Sequence, residues 1–340
     1  MKAIKITCFL FALALGIELY LKIQKPSPYE TNLELGWITK KNFKHVYHQS
    51  DFYNNSYKAD YKTDNNGARF STNSNSSLAK MKFLVIGDSF TIDPYVGNDE
   101  MWFSIMAKKY TMAKKHTKYY DVRAFGGGGY GTLQQYLLLK KKKYELRFYK
   151  PNILIMQFCS NDFSNNSLDI ELSNFNLSQY MRRPYLINDE IYYHKNFFTP
   201  LFTDMPFFNS SRIFAKLVFI YEFTVKKYFP SNHDKIDNKI FIEAKRTTFK
   251  ILKDIRNLYP NTPAFIFSCS NKNSKLNTNW QEMAKKANFI VLNESSNFID
   301  QGRKKNKKFF YKDGGHLNKL GNSNLGELIF EEIKKNYKFN

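Results

Sequence analysis

Four short segments of this 340-residue chain carry residue types that could together activate a hydroxyl. Val85-Ile86-Gly87-Asp88-Ser89 closes an apolar run. Gly129 ends a run of four glycines, Gly126 to Gly129. Ser160-Asn161-Asp162 follows a further apolar run, and Asp313-Gly314-Gly315-His316 lies near the C-terminus. A serine hydroxyl becomes a nucleophile only beside a base. A histidine can take its proton and return it to a leaving group, while a carboxylate orients the ring and stabilises the imidazolium. Asp313 and His316 are three apart, so their side chains can face each other within one turn. A tetrahedral intermediate also needs donors for its oxyanion, each worth about 10²–10³ in rate. Each segment has a plainer reading alone: Ser89 as a helix cap, Gly129 as turn geometry, Asn161 and Asp162 as loop caps, His316 as a surface histidine. In this order they make a complete set for serine-based acyl transfer. Asp88 and Asp162 are expected to shape their loops.

The elements that must position these groups are legible as apolar runs. Met81 to Ile86, Tyr119 to Phe125, Asn152 to Phe158, Pro263 to Ser268 and Phe289 to Leu292 read as strands. Helical spacing falls between them at 99–110, 132–150, 238–258, 278–286 and 318–337, with a further helix at Ser211 to Lys227. The alternation implies βαβ units and a three-layer α/β/α arrangement, with a five-stranded parallel sheet in flavodoxin-like order. Ser89, Gly129 and Asn161 each follow the C-terminal end of a different strand, the edge where open α/β sheets bind ligands.

The chain divides into an apolar N-terminal segment (1–25), an extended linker or cap (26–80) and a main domain (81–340) with an aromatic insertion (165–237). Lys2 and Lys5 precede Ile6 to Ile23, apolar except at Thr7, Glu18 and Lys22. Eighteen helical residues span about 27 Å, enough for a bilayer core. The preferred reading is an uncleaved, single-pass signal-anchor with the main domain outside the cytoplasm. A cleaved signal peptide, giving a secreted protein, and a buried helix are the alternatives.

The net charge is +22. Lysines are dispersed, with clusters at Lys140 to Lys143 and Arg303 to Lys308, and no nucleic-acid fold signature surrounds them. The plain reading is a solvated basic surface; the sharper one is attraction to anionic lipid headgroups or an anionic polysaccharide. Nucleic acid is not an expected partner. Three cysteines, Cys8, Cys159 and Cys269, show no metal spacing and argue against both a disulfide framework and a zinc site. Gly126, Gly128 and Gly131 also satisfy a G-x-G-x-x-G pattern, but a dinucleotide site wants an acidic residue about 20 positions on, at the end of the next strand, and Asp162 there is too far along.

Gly87-Asp88-Ser89-Phe90-Thr91, the Gly129 loop, Asn161 and Asp313-x-x-His316 together resemble the SGNH (GDSL-type) hydrolase superfamily over roughly residues 81–337. Leu35-Gly36-Trp37, Asn65-Asn66-Gly67-Ala68-Arg69 and Gly129-Tyr130-Gly131-Thr132-Leu133-Gln134 resemble elements of its membrane-anchored bacterial members. The resemblance implies Ser89 as nucleophile, His316 as base and Asp313 as its partner. It implies an oxyanion hole of the Ser89 and Gly129 N–H groups and the Asn161 amide, with no metal and no cofactor. Ala124, Cys159 and Ala68 depart from the pattern, which bears on loop geometry and leaves the three reacting residues in place.

The expected activity is cleavage of an ester, a small O-acyl group such as acetyl, on a small molecule or a cell-surface glycan. Transfer of the acyl group to a polysaccharide hydroxyl is the first alternative, and a non-catalytic carbohydrate-binding scaffold on a hydrolase fold the second.

Overall fold

A computed structural model of the chain describes residues 2–74, 77–92, 94–113, 119–147, 149–174, 182–194, 211–214, 216–217, 220–221, 224, 237–270 and 280–337. The elements, in order, are α1 (Lys2–Gln24), β1 (Tyr29–Asn32), β2 (Gly36–Thr39), β3 (Lys44–Ser50), β4 (Ser56–Lys62) and β5 (Arg69–Phe70). Then come β6 (Met81–Gly87), α2 (Ser89–Ile92), α3 (Trp102–Ala113), β7 (Tyr120–Gly126), α4 (Thr132–Glu145), β8 (Ile153–Phe158), α5 (Asn161–Asn165) and α6 (Leu168–Asn174). A hairpin, β9 (Pro184–Ile187) and β10 (Glu190–Tyr193), precedes α7 (Asn238–Leu258) and β11 (Ala264–Ser268). The chain closes with α8 (Trp280–Lys286), β12 (Ile290–Val291), α9 (Asn293–Lys305) and α10 (Lys319–Asn336).

The central sheet has the order β12-β11-β8-β6-β7-β5. Its first five strands are parallel. Numbering those five by sequence gives the doubly wound order 2-1-3-4-5, the expected flavodoxin-like plan. One feature differs from expectation: β5 adds a sixth, antiparallel edge strand beside β7. Strands β8 and β11 are buried at every position, because helices cover both faces. On one face α3, α9 and α10 pack over Phe83, Val85, Val122 and Phe267. On the other, α4, α7 and α8 pack over Leu84, Ile86, Leu154 and Ile266. Helix α7 buries Phe241, Ala244, Thr248, Ile251, Leu252 and Ile255, a stripe at helical spacing.

The segment read as linker or cap carries two antiparallel hairpins, β1–β2 and β3–β4. Its Arg69 is fully buried; Nε donates to Asn98 Oδ1 (3.1 Å) and Nη2 to the Val96 carbonyl (2.8 Å), with the guanidinium over the Tyr61 ring. Gly67 precedes it at φ +79°, where a Cβ would sit 2.8 Å from the Thr39 carbonyl oxygen, so this turn requires glycine. The motif Asn65 to Arg69 thus joins the hairpins to the loop after α2.

Helix α1 is long and apolar enough to cross a membrane by length and composition, and almost none of it is buried in the protein. Its Glu18 is the exception: the carboxylate accepts the Arg212 and Ile213 N–H groups and the Ser211 hydroxyl, and pairs with Lys22 at 3.4 Å. Of the helix expected at Ser211 to Lys227, residues 212–214, 216–217, 220–221 and 224 are helical. The remainder of that span, much of the insertion, and Thr278 lie outside the described residues.

Candidate active site

Strand β6 delivers Ser89 through a turn with no room for a side chain at Gly87. A Cβ there would meet Thr91 Oγ1 at 2.3 Å and Gln157 Oε1 at 2.5 Å. Gln157 Oε1 accepts the Asp88 N–H (2.9 Å), and Asp88 Oδ1 accepts the Phe90 N–H (2.9 Å). Asp88 therefore shapes the turn that starts α2, and Ser89 opens that helix.

His316 arrives from the loop before α10. The Asn318 side chain caps α10 by accepting the Gly321 N–H (3.0 Å) and donates to the Lys308 and Phe310 carbonyls. Gly314, at φ +66°, turns the chain so that Asp313 Oδ1 accepts the Gly315 and His316 N–H groups (2.8 and 3.0 Å). Asp313 Oδ2 lies 2.5 Å from His316 Nδ1, and His316 Nε2 lies 2.8 Å from Ser89 Oγ. With Nδ1–H donating to Asp313, Nε2 is left as the acceptor of the Ser89 hydroxyl proton. The ring stacks on Tyr95 (4.1 Å between centroids, 16°) and packs on Phe90. Burial would raise the Asp313 carboxyl, but hydrogen bonds from the His316 ring and backbone and from Gly315 outweigh it and hold it below its usual value.

Ser89 and His316 border a cavity of about 270 Å³, whose other lining residues include Gly129, Asn161, Ser270, Arg303 and both Cys159 and Cys269. The structure thus brings all five expected residues to one place, with Asp313 behind His316. Within the glycine run it also separates the candidates. Gly128 N–H donates to the Tyr29 hydroxyl (2.9 Å) and Gly128 O accepts Trp37 Nε1 (3.1 Å). Gly129 N–H has no such partner among the described residues, whereas its carbonyl accepts Asn165 Nδ2 (3.0 Å) and Arg183 Nη2 (2.9 Å). The Ser89 N–H and the exposed Asn161 carboxamide likewise make no hydrogen bond among the described residues. Three donors at this cavity are therefore uncommitted.

No family model and no curated protein matches the chain. Among solved structures it is similar to a lipase from a goat rumen metagenome, at 13% identity over 74% of this chain and 97% of that one, TM-score 0.40. It is similar to the psychrotrophic esterase EstA of a Pseudoalteromonas species, at 11% identity over 75% and 97%, TM-score 0.41. A putative GDSL-like lipase from Parabacteroides merdae gives 11% identity over 75% and 96%, TM-score 0.40. At these scores the likeness is broad, and the chemistry rests on the geometry of the site itself.

One expectation is overturned. Cys159 and Cys269 form a disulfide, with their Cα atoms 5.0 Å apart. The parallel register pairs Phe158 with Ser268, so the next residue on each strand falls side by side. Spacing along the sequence carries no sign of this, since 110 residues separate them. Asp88 and the two sulfurs lie close enough to suggest a metal cluster, but disulfide sulfurs offer no thiolate.

Asp162 is fully buried beneath Asn161. Its Oδ2 accepts the Cys159 N–H (3.2 Å), and burial, then the nearby Asp88 charge, pushes its carboxyl well above its usual value. Its place is structural, as the sequence suggests for both aspartates. Four residues around the site were not legible as such. Trp37 and Arg183 hold the glycine loop, and Arg183 is buried against Glu171 (Nε to Oε2, 3.1 Å). Tyr95 covers the His316 ring, and Arg303 borders the cavity. Only Trp37 had a signal, its place in Leu35-Gly36-Trp37.

Proposed function

We propose that this chain is a membrane-anchored serine esterase that removes a small O-acyl group. The observation that carries the reading is the unbroken relay from Ser89 Oγ to His316 Nε2 (2.8 Å) and from His316 Nδ1 to Asp313 Oδ2 (2.5 Å), beside three uncommitted donors. Ser89 Oγ attacks the ester carbonyl carbon while its proton passes to Nε2. The oxyanion is received by the Ser89 and Gly129 N–H groups and the Asn161 amide. His316 returns the proton to the departing alcohol oxygen, leaving acyl-Ser89. A water molecule, deprotonated by Nε2, attacks the acyl carbon and releases the carboxylic acid and free Ser89. A cavity of about 270 Å³ suits a short acyl group and one sugar-sized alcohol.

The anchor reading assigns α1 to the bilayer and the remaining residues to the outer side. The Cys159–Cys269 disulfide supports this, because such bonds persist on the oxidising side of a membrane. A reporter fused at the C-terminus is expected outside the cytoplasm, and a cytoplasmic reporter would refute the topology.

The test of the chemistry is a fluorophosphonate serine probe applied to the full-length protein in detergent, beside Ser89→Ala. Labelling of the parent alone is expected. Absence of labelling in both would sink the nucleophile. Acyl release measured with and without oligosaccharide acceptors then separates hydrolysis from transfer.

A further inference from the structure

Arg303 sits in the last turn of α9, within a run of cations. Its neighbours behave as cations at a helix C-terminus commonly do: Lys304 folds back to Asp300 (3.1 Å) and Lys305 is exposed. Arg303 instead turns to the Ser89 cavity and lines it. Its Nε and Nη2 donate to the Gly315 carbonyl at 3.1 and 2.9 Å, and its guanidinium lies 5.2 Å from the centroid of the Phe90 ring. Nη1 has no hydrogen-bond partner, and no carboxylate lies within ion-pair distance of the group, among the described residues. Burial weighs more on this guanidinium than the charges of Asp300, Asp88 and Asp313 around it. A guanidinium keeps its charge at any biological pH, so an anion that enters the cavity meets a permanent, half-buried cation.

We propose that Arg303 reads an anionic group, a carboxylate or a sulfate, on the alcohol side of the ester. The side follows from the proton path. His316 Nε2 hands its proton to the departing alcohol oxygen, and Arg303 grips Gly315, the residue next to His316. The alcohol fragment therefore lies along the edge that Arg303 borders. The free N–H edge of a planar guanidinium matches a carboxylate or sulfate in geometry and charge. The substrate class is an O-acylated sugar bearing such a group, and the net charge of +22 would concentrate an anionic polymer near the protein. The inference rests on the serine-esterase reading and deepens it by naming the substrate class.

Two esters that differ by one charge test it: 4-acetoxybenzoate and its neutral methyl ester, with full-length protein in detergent. In Arg303→Gln the ratio of kcat/KM for the anionic ester to that for the neutral one is expected to fall about tenfold from the parent value. Arg303→Lys, which keeps the charge and loses the fork, is expected to lie between. Disturbance of the Gly315 turn slows both esters together and cancels in the ratio, and fluorophosphonate labelling of each variant reports a formed site. An unchanged ratio in Arg303→Gln overturns the proposal. A parent protein that cleaves neither ester and takes no label overturns the serine reading instead, so the two failures are distinct.

Discussion

Trp37 Nε1 donates to the Gly128 carbonyl oxygen at 3.1 Å, and this contact aims the N–H of Gly129. The two groups belong to one planar, trans peptide, in which C=O and N–H point in opposite directions. Holding the oxygen against Trp37 turns the hydrogen towards the Ser89 cavity, which Gly129 lines. Arg183, stacked over the Trp37 ring, holds the following carbonyl at 2.9 Å and fixes the next peptide. The glycine loop is thus clamped by the segment read as linker or cap, through Trp37, and by the insertion, through Arg183.

Trp37→Phe removes the donor and keeps an aromatic ring against Tyr130. The expected result is a fall of about tenfold in kcat, the scale of one weakened hydrogen bond in the transition state, with KM little changed. Steady-state kinetics on a neutral acetate ester checks this. A change confined to KM would contradict the aiming role.

Arg183→Gln takes the guanidinium away from the buried Glu171 carboxylate, which also accepts the Tyr185 hydroxyl (2.6 Å), and removes a donor from the Gly129 carbonyl. Breaking a buried pair from one side costs about 3–5 kcal/mol. Urea unfolding is expected to show a loss on that scale, with Arg183→Lys recovering part. A loss of activity without a loss of stability would mean that Arg183 acts on the loop alone.

Asp313→Asn, at neutral pH, should lower kcat by about 10⁴, the scale for removing the carboxylate that orients a catalytic histidine. Its effect on stability has a definite sign with pH. The folded-state pKa of Asp313 is depressed, so its ionised form contributes stability above the unfolded value of about 3.9. That contribution disappears as the pH falls through the lower, folded value. The stability difference between parent and Asp313→Asn should therefore be level near neutrality and shrink only in acid. Urea unfolding between pH 3 and pH 7 measures it; a difference growing in acid would contradict the depressed value.

Reduction of Cys159–Cys269 releases a cross-link across 110 residues. Loop entropy places the expected destabilisation at about 5 kcal/mol. Cys159→Ser with Cys269→Ser should show a similar loss in urea and should also slow acyl release, because Cys159 lies two residues before Asn161. Equal stability with and without dithiothreitol would show that the bond does not form in solution.

Much of the sheet was legible because buried parallel strands are continuous apolar runs, and the five parallel strands fall close to where those runs stand. Helix α9 was not legible. Its buried face is Ser295, Ser296, Ile299 and Gly302, small and mostly polar, so no apolar period marks it. Its first turn is capped from another helix, by Glu332 accepting the Glu294 and Ser295 N–H groups, so no local capping signal marks it either. With α9 unread, Arg303 looked like one more surface cation. The hairpin β9–β10 was hidden for a similar reason, since its strands expose much of both faces.

The sequence by itself determined the candidate reacting groups and their order, because each sits at a strand end or in a turn, where type and spacing act locally. It also determined the helix that can cross a membrane. Only the tertiary structure decided which glycine N–H is left free, which arginine faces the cavity and which cysteines meet. Those outcomes depend on register between strands and on contacts between segments tens to more than a hundred residues apart, and no local pattern encodes them.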